Sequence, residues 1–367
     1  MTDQNAPALL GAERRAHVLA ALARDGVVRM AQLADELDVT PVTLRRDFAQ
    51  MEKEGLLVRV HGGAVPPAGG MAQAAPETPH TTATGALAVL VPSLNYYWPG
   101  AIRGMEAEAR RRGLQLVLRG ASYELQDERP VLERLVDDHH VRGFILAPNT
   151  DTPHAQDVVQ WLAESGLPSV FVERDAVVLP DRLPVENVAT DHAFGAVLAA
   201  RHLASLGHRK VGLILSRDSP TGRRIVRGWE AACAELELLP SDHFEEYFPD
   251  RNGPNFTASV DAAIDTALSS GVTGLLIHSD PEAMAFIDIA LNRGLAVPRD
   301  LSVVAYDDEV AQLFTPALTA VSPPRAAVGA AAVDLLARRI EDPTRPVHRV
   351  MLSPTLNVRQ STAPAPA

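Results

Sequence analysis

The sequence predicts an α/β protein in two parts: a small, mostly helical N-terminal module with a short β-hairpin, and a larger two-lobed body in which parallel sheets are flanked by helices. Three observations lead to this prediction. A chain of 367 residues exceeds the usual size of one small domain. Apolar residues recur with helical periodicity in the first segment. After it, short apolar runs alternate with helical patterns, which is typical of parallel sheets.

Three helical patterns fill the N-terminal module. Apolar residues recur with helical spacing over 13–25, 30–37 and 41–53, and each pattern ends near a glycine or a polar break. Residues 56–60 then alternate into a His-Gly-Gly turn that begins at His61. This alternation predicts a short hairpin after the third helix.

Seven apolar runs of β type mark the strands of the larger body, and a second series of strand and helix patterns after about residue 190 divides it into two lobes. A cleft between two lobes is a common site for small ligands. The stretch before the body is rich in Pro, Ala, Gly and Thr, which predicts a flexible linker. The runs begin at or beside Leu87, Leu114, Gly143, Pro168, Lys210, Gly274 and Leu301. The predicted boundaries are 10–65 for the N-terminal module, 66–85 for the linker and 86–362 for the body.

Composition and charge exclude several classes of protein. The chain is 46% hydrophobic and 22% charged, and no stretch approaches the roughly 20 apolar residues that cross a bilayer. Its N-terminus has acids and arginines where a secretory signal would have an apolar run, so we expect a cytoplasmic protein. A net charge of −12 argues against a protein that coats nucleic acid by bulk electrostatics. This net charge is still compatible with local DNA binding through a few arginines.

The sequence lacks the common motifs of catalysis and metal binding. Neither the nucleophile elbow GxSxG nor the phosphate loop GxxxxGK followed by Ser or Thr occurs. The single cysteine, Cys233, lies among Ala and Trp on a predicted helix, which predicts a buried packing role. We therefore expect no enzyme activity, no metal and no cofactor.

The start of the third helix is well specified. Thr40 can cap it, and Pro41 fits the first turn, where a missing N–H costs nothing. Leu44, Phe48 and Met51 are spaced by four and three residues, so they predict one buried stripe.

The opposite face of this helix carries two adjacent arginines, Arg45 and Arg46. A helix that reads DNA needs such a face, because arginine suits both guanine edges and phosphates in the major groove. Taken alone, the run Arg45-Arg46-Asp47 is more often a solvated face with local ion pairs. The residues off the buried stripe are Val42, Thr43, Arg45, Arg46, Ala49 and Gln50.

The string VTPVTLRRDFAQMEKEGLLVRVHGGA, preceded by GVVRMAQLADEL, resembles the winged helix-turn-helix of the deoxyribonucleoside-regulator (DeoR) family. The match covers about residues 13–64 and includes both the Thr-hydrophobe-Arg-Arg-Asp core and the Arg-Val-His-Gly-Gly-Ala wing. For His61 the alternative is a turn residue beside two glycines. The resemblance implies operator contacts by Thr40, Val42, Thr43, Arg45 and Arg46, and contacts of Arg59 and His61 with the flanking backbone or minor groove.

Residues 87–361 resemble the periplasmic-binding-protein-like sensor of the lactose-repressor (LacI/GalR) family. The matching strings are VPSLNYYW, ASLGHRKVGLI, HSDPEAMA and GLAVPRDLSVVAYDDEVAQLFTPALTAV, of which the last is the most specific. The resemblance implies a two-lobed ligand sensor that controls DNA binding. A secreted solute receptor of the same fold is opposed by the N-terminal module.

The predicted ligand contacts lie at the ends of strands. A sugar sensor needs aromatic faces and planar hydrogen-bonding groups that converge in one cleft. Asp307 matches a family aspartate that accepts hydrogen bonds from ligands, Phe248 matches a stacking aromatic, and Asp280 is expected to support the cleft. Alternatively, the aromatic pair Tyr97 and Trp98 only plugs the rim of one lobe. The full set of predicted ligand contacts is Ser93, Asn95, Tyr97, Trp98, Asn149, Asp151, Arg224, Phe248, Ser279 and Asp307.

Two departures from the family pattern leave the effector open. Ile225 stands where sugar-binding relatives place an arginine before a Gly-aromatic pair, and the adjacent Arg224 is a candidate substitute. Ser279 stands where the family often has an asparagine, which shortens the reach of that hydrogen bond. We expect a sugar, and the alternative is a nucleoside or another polyol.

The resemblance also implies the partners of the protein. We expect a homodimer that associates through the sensor lobes, binds an inverted-repeat operator in double-stranded DNA and acts as a repressor, with an activator as the alternative. The four prolines of 64–85 make a helical hinge in the linker improbable. We therefore expect the ligand to change the geometry of the dimer and so the separation of the two DNA-binding heads.

Overall fold

The computed structural model describes residues 14–15, 17–19, 21–22, 28–30, 33–34, 37, 39–53, 56–60, 63–65, 85–120, 128–139, 141–148, 153–217, 219–238 and 244–366. The chain forms two compact units, Met1–His80 and Thr81–Ala367, and each is described by itself. Apart from Gly85, the segment predicted as a linker lies outside the described residues.

The smaller unit contains a 13-residue helix, α1 (Pro41–Lys53), with the bounds that the sequence predicts. A small antiparallel sheet accompanies it, formed by β1 (Val28–Arg29), β2 (Val58–Val60) and β3 (Gly63–Val65) in the order β1-β3-β2. The predicted hairpin is the β2–β3 pair. The short strand β1 was not predicted.

The predicted apolar stripe of α1 is confirmed as the core of the smaller unit. Leu44, Phe48 and Met51 are fully buried. They pack in one cluster with Val18, Leu22 and Leu57 among others. This cluster fixes which face of α1 points inward and therefore leaves the opposite face to solvent.

The larger unit alternates strands with helices. In chain order its elements are β4 (Ala86–Val91), α2 (Trp98–Arg111), β5 (Gln115–Gly120), α3 (Arg129–His139), β6 (Val141–Leu146), α4 (Pro153–Ser165), β7 (Ser169–Val172), β8 (Val177–Val178), β9 (Leu183–Pro184), β10 (Asn187–Thr190), α5 (His192–Ser205), β11 (Val211–Ser216), α6 (Gly222–Glu235), β12 (Phe244–Phe248), α7 (Phe256–Ser270), β13 (Gly274–Ile277), α8 (Asp280–Asn292), β14 (Ser302–Tyr306), β15 (Thr319–Ser322), α9 (Arg325–Glu341), β16 (Arg349–Leu352) and β17 (Thr355–Asn357).

Two six-stranded sheets form the two lobes, which confirms the predicted α/β class. The sheet of lobe one has the order β16-β10-β7-β6-β4-β5, and all its strand pairs are parallel. The sheet of lobe two has the order β12-β11-β13-β14-β15-β17, and only β17 is antiparallel to its neighbour. The chain passes between the lobes three times: after β10, after β15 and after β16.

Helices cover both faces of each sheet and bury apolar cores. In lobe one, α2 and α9 pack on one face and α3 and α4 on the other. In lobe two, α5 and α6 share one core, and α7 and α8 share the second. Cys233 is buried in the core of α5 and α6, as predicted, and burial raises the pKa of its thiol to about 11.

Glycines allow some of these helices to approach closely. A Cβ on Gly104 of α2 would lie 2.0 Å from the carbonyl oxygen of Ala326 in α9. A Cβ on Gly228 of α6 would likewise lie 2.0 Å from the carbonyl oxygen of Ala193 in α5. These positions therefore exclude any larger side chain without movement of a backbone. No helix in the described parts of the chain is long and apolar enough to span a membrane.

Candidate functional site

The N-terminal end of α1 is built as the sequence predicts. The Thr40 hydroxyl oxygen accepts a hydrogen bond from the backbone N–H of Thr43 at 3.3 Å, and the Thr40 carbonyl accepts from Thr43 and Leu44. Side-chain capping of this kind satisfies an N–H that the first turn of a helix otherwise leaves open. It also fixes the direction in which the first two turns of α1 present their side chains.

Arg45 and Arg46 are exposed on the outer face of α1. Neither has an ion-pair partner among the described residues, whereas the adjacent Asp47 is paired with Arg14 at 2.9 Å. Of the three charged residues Arg45, Arg46 and Asp47, only the aspartate therefore forms an ion pair among the described residues. Two exposed guanidinium groups near a helix N-terminus suit contacts with phosphates and base edges.

The structure locates the other predicted DNA contacts only in part. Thr40 is exposed and Thr43 is half-buried, at the start of α1. Val42 lies in the first turn of α1 and Arg59 lies in β2. His61 lies outside the described residues.

A cavity of about 680 Å³ lies between the two lobes of the larger unit. Its walls come from the segments that follow strands β4, β7, β10, β11, β12, β13 and β14, so it sits at the carboxyl ends of both sheets. Five predicted ligand contacts line it: Tyr97, Trp98, Phe248, Ser279 and Asp307. The other lining residues are Tyr96, Glu173, Arg174, His192, Ser216, Arg217, Ser219, Pro220, Thr221, Pro249, Asp250, Arg251, His278 and Glu282.

The remaining predicted ligand contacts are not among the lining residues. Ser93 accepts a hydrogen bond from the backbone N–H of Asn95 at 3.0 Å within the turn after β4. Arg224, on α6 of lobe two, binds Asp175 of lobe one at 2.5 Å. Asn149 and Asp151 lie outside the described residues.

Glu173 is the centre of a buried hydrogen-bond network at one side of the cavity. It accepts from the Thr190 hydroxyl at 2.7 Å, from the Thr190 backbone N–H and from the Tyr97 hydroxyl. His192 Nε2 lies 3.0 Å from the second carboxylate oxygen. Burial opposes the charge, but His192, Tyr97 and Thr190 outweigh it and lower the pKa of Glu173 to about 2. The Tyr97 hydroxyl is therefore engaged by the protein itself.

The network continues from lobe one into lobe two. His192 begins α5, directly after the first passage between the lobes, and its Nδ1 lies 3.0 Å from the hydroxyl of Tyr306 in β14. Tyr97, Glu173, His192 and Tyr306 thus form one continuous polar chain from lobe to lobe.

Asp307 is a buried carboxylate at the end of β14, and only 6% of its surface is exposed. Burial raises its pKa to about 6, although His192, Arg325 and the Tyr96 hydroxyl act in the opposite direction. Arg325 donates to its backbone carbonyl rather than to its carboxylate. Asp307 is therefore mostly ionised at neutral pH without an ion-pair partner among the described residues.

Asp280 supports the loop that carries Asp307, as the sequence predicts. Its carboxylate accepts hydrogen bonds from three consecutive backbone N–H groups of residues 308–310, at 3.1, 2.7 and 2.9 Å. Asp308 points away from the cavity, since its carboxylate binds Arg359 at 2.7 Å and Asn357 at 2.6 Å. These contacts hold the turn after β14 from both sides.

His278 and Ser279 follow β13 and form the wall opposite Tyr97. The His278 ring is buried, lies 5.4 Å from the Tyr306 ring, and its Nδ1 has no hydrogen-bond partner among the described residues. Burial lowers the pKa of His278 to about 4 despite the proximity of Glu282, so the ring is neutral at pH 7. The Ser279 hydroxyl donates to Glu282 at 2.5 Å and caps α8, so it is already engaged.

Two aromatic residues form one end of the cavity. The rings of Tyr97 and Trp98 meet edge to face at 5.5 Å, and the guanidinium of Arg174 lies 5.9 Å from the Trp98 ring centre. Among the described residues, no group of three His, Cys, Asp or Glu side chains is arranged to hold a metal ion. The cavity thus offers aromatic walls and isolated hydrogen-bonding groups.

Sequence reasoning missed Glu173, His192 and His278. Glu173 and His278 come at or directly after the end of a predicted strand, so the rule that ligand sites form at the carboxyl ends of strands would have found them. His192 follows β10, a four-residue strand that the apolar pattern did not reveal.

Two family models match the chain. A DeoR-like helix-turn-helix domain matches residues 14–68, and a periplasmic binding protein-like domain matches residues 200–362. One relative, an uncharacterized helix-turn-helix transcriptional regulator of Streptomyces limosus, is 34% identical over 63% of this chain and 66% of its own length. The arabinose metabolism transcriptional repressor of Geobacillus stearothermophilus is 24% identical over 90% of both chains.

Solved structures share the fold of the larger unit. A LacI family regulator of Enterococcus faecium with bound ribose has a TM-score of 0.62 and is 24% identical, over 76% of this chain and 99% of that one. A complex of the regulator CelR with cellobiose has a TM-score of 0.64 and is 24% identical, over 94% of this chain and 98% of that one.

Proposed function

We infer that this chain, which joins a DeoR-like helix-turn-helix domain to the periplasmic binding protein-like domain of LacI-type transcriptional regulators, is a transcriptional repressor whose operator binding is controlled by a small effector. The observation that carries this inference is the presence of two complementary surfaces in one chain. One is an exposed arginine pair on a capped helix. The other is a two-lobed cavity with aromatic walls and a buried carboxylate that has no ion-pair partner in the described parts of the chain.

We propose a sugar as the effector. Tyr97, Trp98 and Phe248 give the cavity aromatic walls that suit the C–H surfaces of a sugar ring, and Asp307 would accept hydrogen bonds from hydroxyl groups. A relative that represses arabinose metabolism and structural neighbours with bound ribose and cellobiose support this class of ligand. A nucleoside or another polyol is the alternative, because it shares the hydroxyl pattern.

The repressor would act as a cytoplasmic homodimer on an inverted repeat. Dimers with two-fold symmetry bind operators whose half-sites are related by the same symmetry. Thr40, Val42, Thr43, Arg45 and Arg46 would read the major groove, and Arg59 and His61 would contact the flanking DNA. In the sensor, Ser93, Asn95, Asn149, Asp151, Arg224 and Ser279 stay candidate ligand contacts beside the residues named above.

The test is footprinting of the DNA upstream of the protein's own gene, with the wild type and with an Arg45→Ala/Arg46→Ala double variant. We expect protection of an inverted repeat, with affinity reduced by about 10-fold or more for each arginine lost. A panel of sugars and nucleosides is then added at one fixed salt concentration, since phosphate contacts make affinity depend on salt.

A double variant of exposed, ion-paired arginines in the larger unit, Arg110→Ala with Arg129→Ala, serves as the matched control. It removes the same number of positive charges and should leave protection intact. Equal loss in both double variants would show that binding reflects overall charge and would contradict the proposed recognition helix.

A further inference from the structure

The ionisable groups at the bottom of the cavity are not all available to a ligand. We call the buried lining residues Glu173, Arg174, His192, His278 and Asp307 the cavity floor; each is at most 9% exposed. Glu173 is saturated by Thr190, Tyr97 and His192. The hydrogen-bonding capacity of this carboxylate is therefore already used by the protein.

The cations of the floor are also engaged by the protein. Arg174 donates from Nε to the carbonyl of Pro148 and from Nη1 to the carbonyl of Glu173, both at 2.9 Å. His192 is shared between Glu173 and Tyr306. Arg325, which donates to the backbone carbonyl of Asp307, is paired with Glu309 at 2.9 Å. The carbonyl acceptors fix the direction of the Arg174 guanidinium, and Glu309 balances the charge of Arg325.

Two groups of the floor keep unused hydrogen-bonding capacity. Asp307 has no ion-pair partner among the described residues and faces only the Tyr96 hydroxyl as a side-chain donor. His278 is neutral at pH 7, and its buried Nδ1 is unpartnered within the described structure. A buried carboxylate accepts hydrogen bonds, and a neutral imidazole both donates and accepts. Both groups fit hydroxyls, and the Asp307 carboxylate finds no donor on an ionised phosphate.

A phosphate group in the floor would meet the carboxylate of Asp307, and Glu282 also lines the cavity. A phosphate is almost purely an acceptor at neutral pH, so it cannot satisfy Asp307, and like charges in a buried site repel strongly. The exposed lining arginines, Arg217 and Arg251, lie where water screens their charge.

We propose that the effector enters the floor with an uncharged, hydroxyl-bearing end, that Asp307 and His278 hold this end, and that the protein selects an unphosphorylated sugar or polyol over its phosphate ester. This inference rests on the proposed sensor function and narrows its ligand class. It also assigns to His278 a direct role in ligand specificity.

The first test compares matched pairs of ligands on the full-length protein by isothermal titration: ribose, arabinose and cellobiose, each beside its phosphate ester. We expect the unphosphorylated member of a binding pair to have a Kd at least about 100-fold lower. A His278→Leu variant should lose about 10-fold or more of that affinity because it removes the imidazole nitrogens. Equal or tighter binding of a phosphate ester would overturn the inference and leave the regulator function standing.

A second measurement tests the inference even if no compound of this panel binds. Asp307→Asn and the adjacent, ion-paired Asp308→Asn are compared by thermal unfolding without ligand. We expect a higher Tm for Asp307→Asn, since it removes an unpaired buried charge, and a lower Tm for Asp308→Asn, since it breaks the Arg359 pair. A fall in Tm for both variants would show that the Asp307 carboxylate stabilises the folded protein, and this result would overturn the inference. Failure of every sugar, with operator binding that responds to a nucleoside, would contradict the proposed effector class instead.

Discussion

Asp307 and Asp308 are neighbours in the chain with opposite surroundings. Asp307 is buried beside the cavity without an ion pair among the described residues, whereas Asp308 binds Arg359 and Asn357 outside it. An unpaired buried carboxylate destabilises a protein, and such groups persist at sites that bind ligands. The contrast identifies Asp307 as the residue whose charge the ligand is expected to use.

The stability of the ligand-free protein should therefore depend on pH through Asp307. Burial raises its folded-state pKa to about 6, above the value of about 3.9 in an unfolded chain. The folded state thus binds the proton more tightly, and stability is lost as pH rises from about 4 to about 6, by up to about 3 kcal/mol. Urea unfolding at several pH values should show Asp307→Asn more stable than wild type above pH 6 and equal to it below pH 4. A gain that is independent of pH would contradict this account.

Three of the site residues that sequence reasoning found share one property. Tyr97, Trp98 and Asp307 follow strands with strong apolar patterns, so both their position and their side-chain chemistry were visible in the sequence. Glu173 and His192 are coupled by a hydrogen bond across the first passage between the lobes. That pairing depends on how two sheets meet in space, which residue spacing alone does not contain.

At the scale of elements, local signals decided what could be predicted. The Thr40 cap, Pro41 and the apolar stripe agree on α1, and its observed bounds match the prediction. All seven predicted strands are present, but β12, with the sequence FEEYF, lacks a continuous apolar run and was not predicted. Strands of this kind form because a neighbouring strand offers hydrogen bonds, which is a tertiary effect.

Packing of α2 against α9 leads to a prediction at the same scale. Gly104→Ala would place a methyl group 2.0 Å from the Ala326 carbonyl oxygen, so the two helices must move apart. We expect the free energy of unfolding to fall by about 1–3 kcal/mol in urea titration. The control is Gly222→Ala, whose new methyl group meets its nearest neighbours at an ordinary 3.8 Å and should change stability by less than about 0.5 kcal/mol. Equal effects of the two variants would refute the close approach of α2 and α9.

At the scale of the larger unit, the Arg224–Asp175 ion pair joins the lobes beside the cavity, as does the pair of Arg325 with Glu309. Arg224 of lobe two and Arg349 of lobe one bind the same carboxylate, that of Asp175 in lobe one. Only the first of these contacts connects the lobes. Because ligand binding requires both walls of the cavity, the Arg224 contact favours the arrangement in which the ligand is enclosed.

We expect Arg224→Ala to raise the Kd of the effector by about 2-fold to 5-fold, an effect that high salt should reduce, because a partly exposed ion pair contributes little. Arg349→Ala is the matched control and should leave the Kd unchanged. The measurement is effector titration at low and high salt. A loss well above about 10-fold that salt does not reduce would instead indicate that Arg224 contacts the effector directly.

At the scale of the whole chain, the proposed regulator couples an effector site to a DNA site. Coupling between two binding sites is reciprocal, so the factor by which the effector changes operator affinity must equal the factor by which the operator changes effector affinity. This equality requires no assumption about the positions of the two units.

The most direct test measures both factors on the full-length protein, by fluorescence anisotropy of a labelled operator with and without effector and by effector titration with and without operator. We expect the effector to weaken operator binding by about 5-fold to 150-fold, with the same factor in the reverse experiment. Specific binding of both ligands with no effect of either on the other would contradict the account.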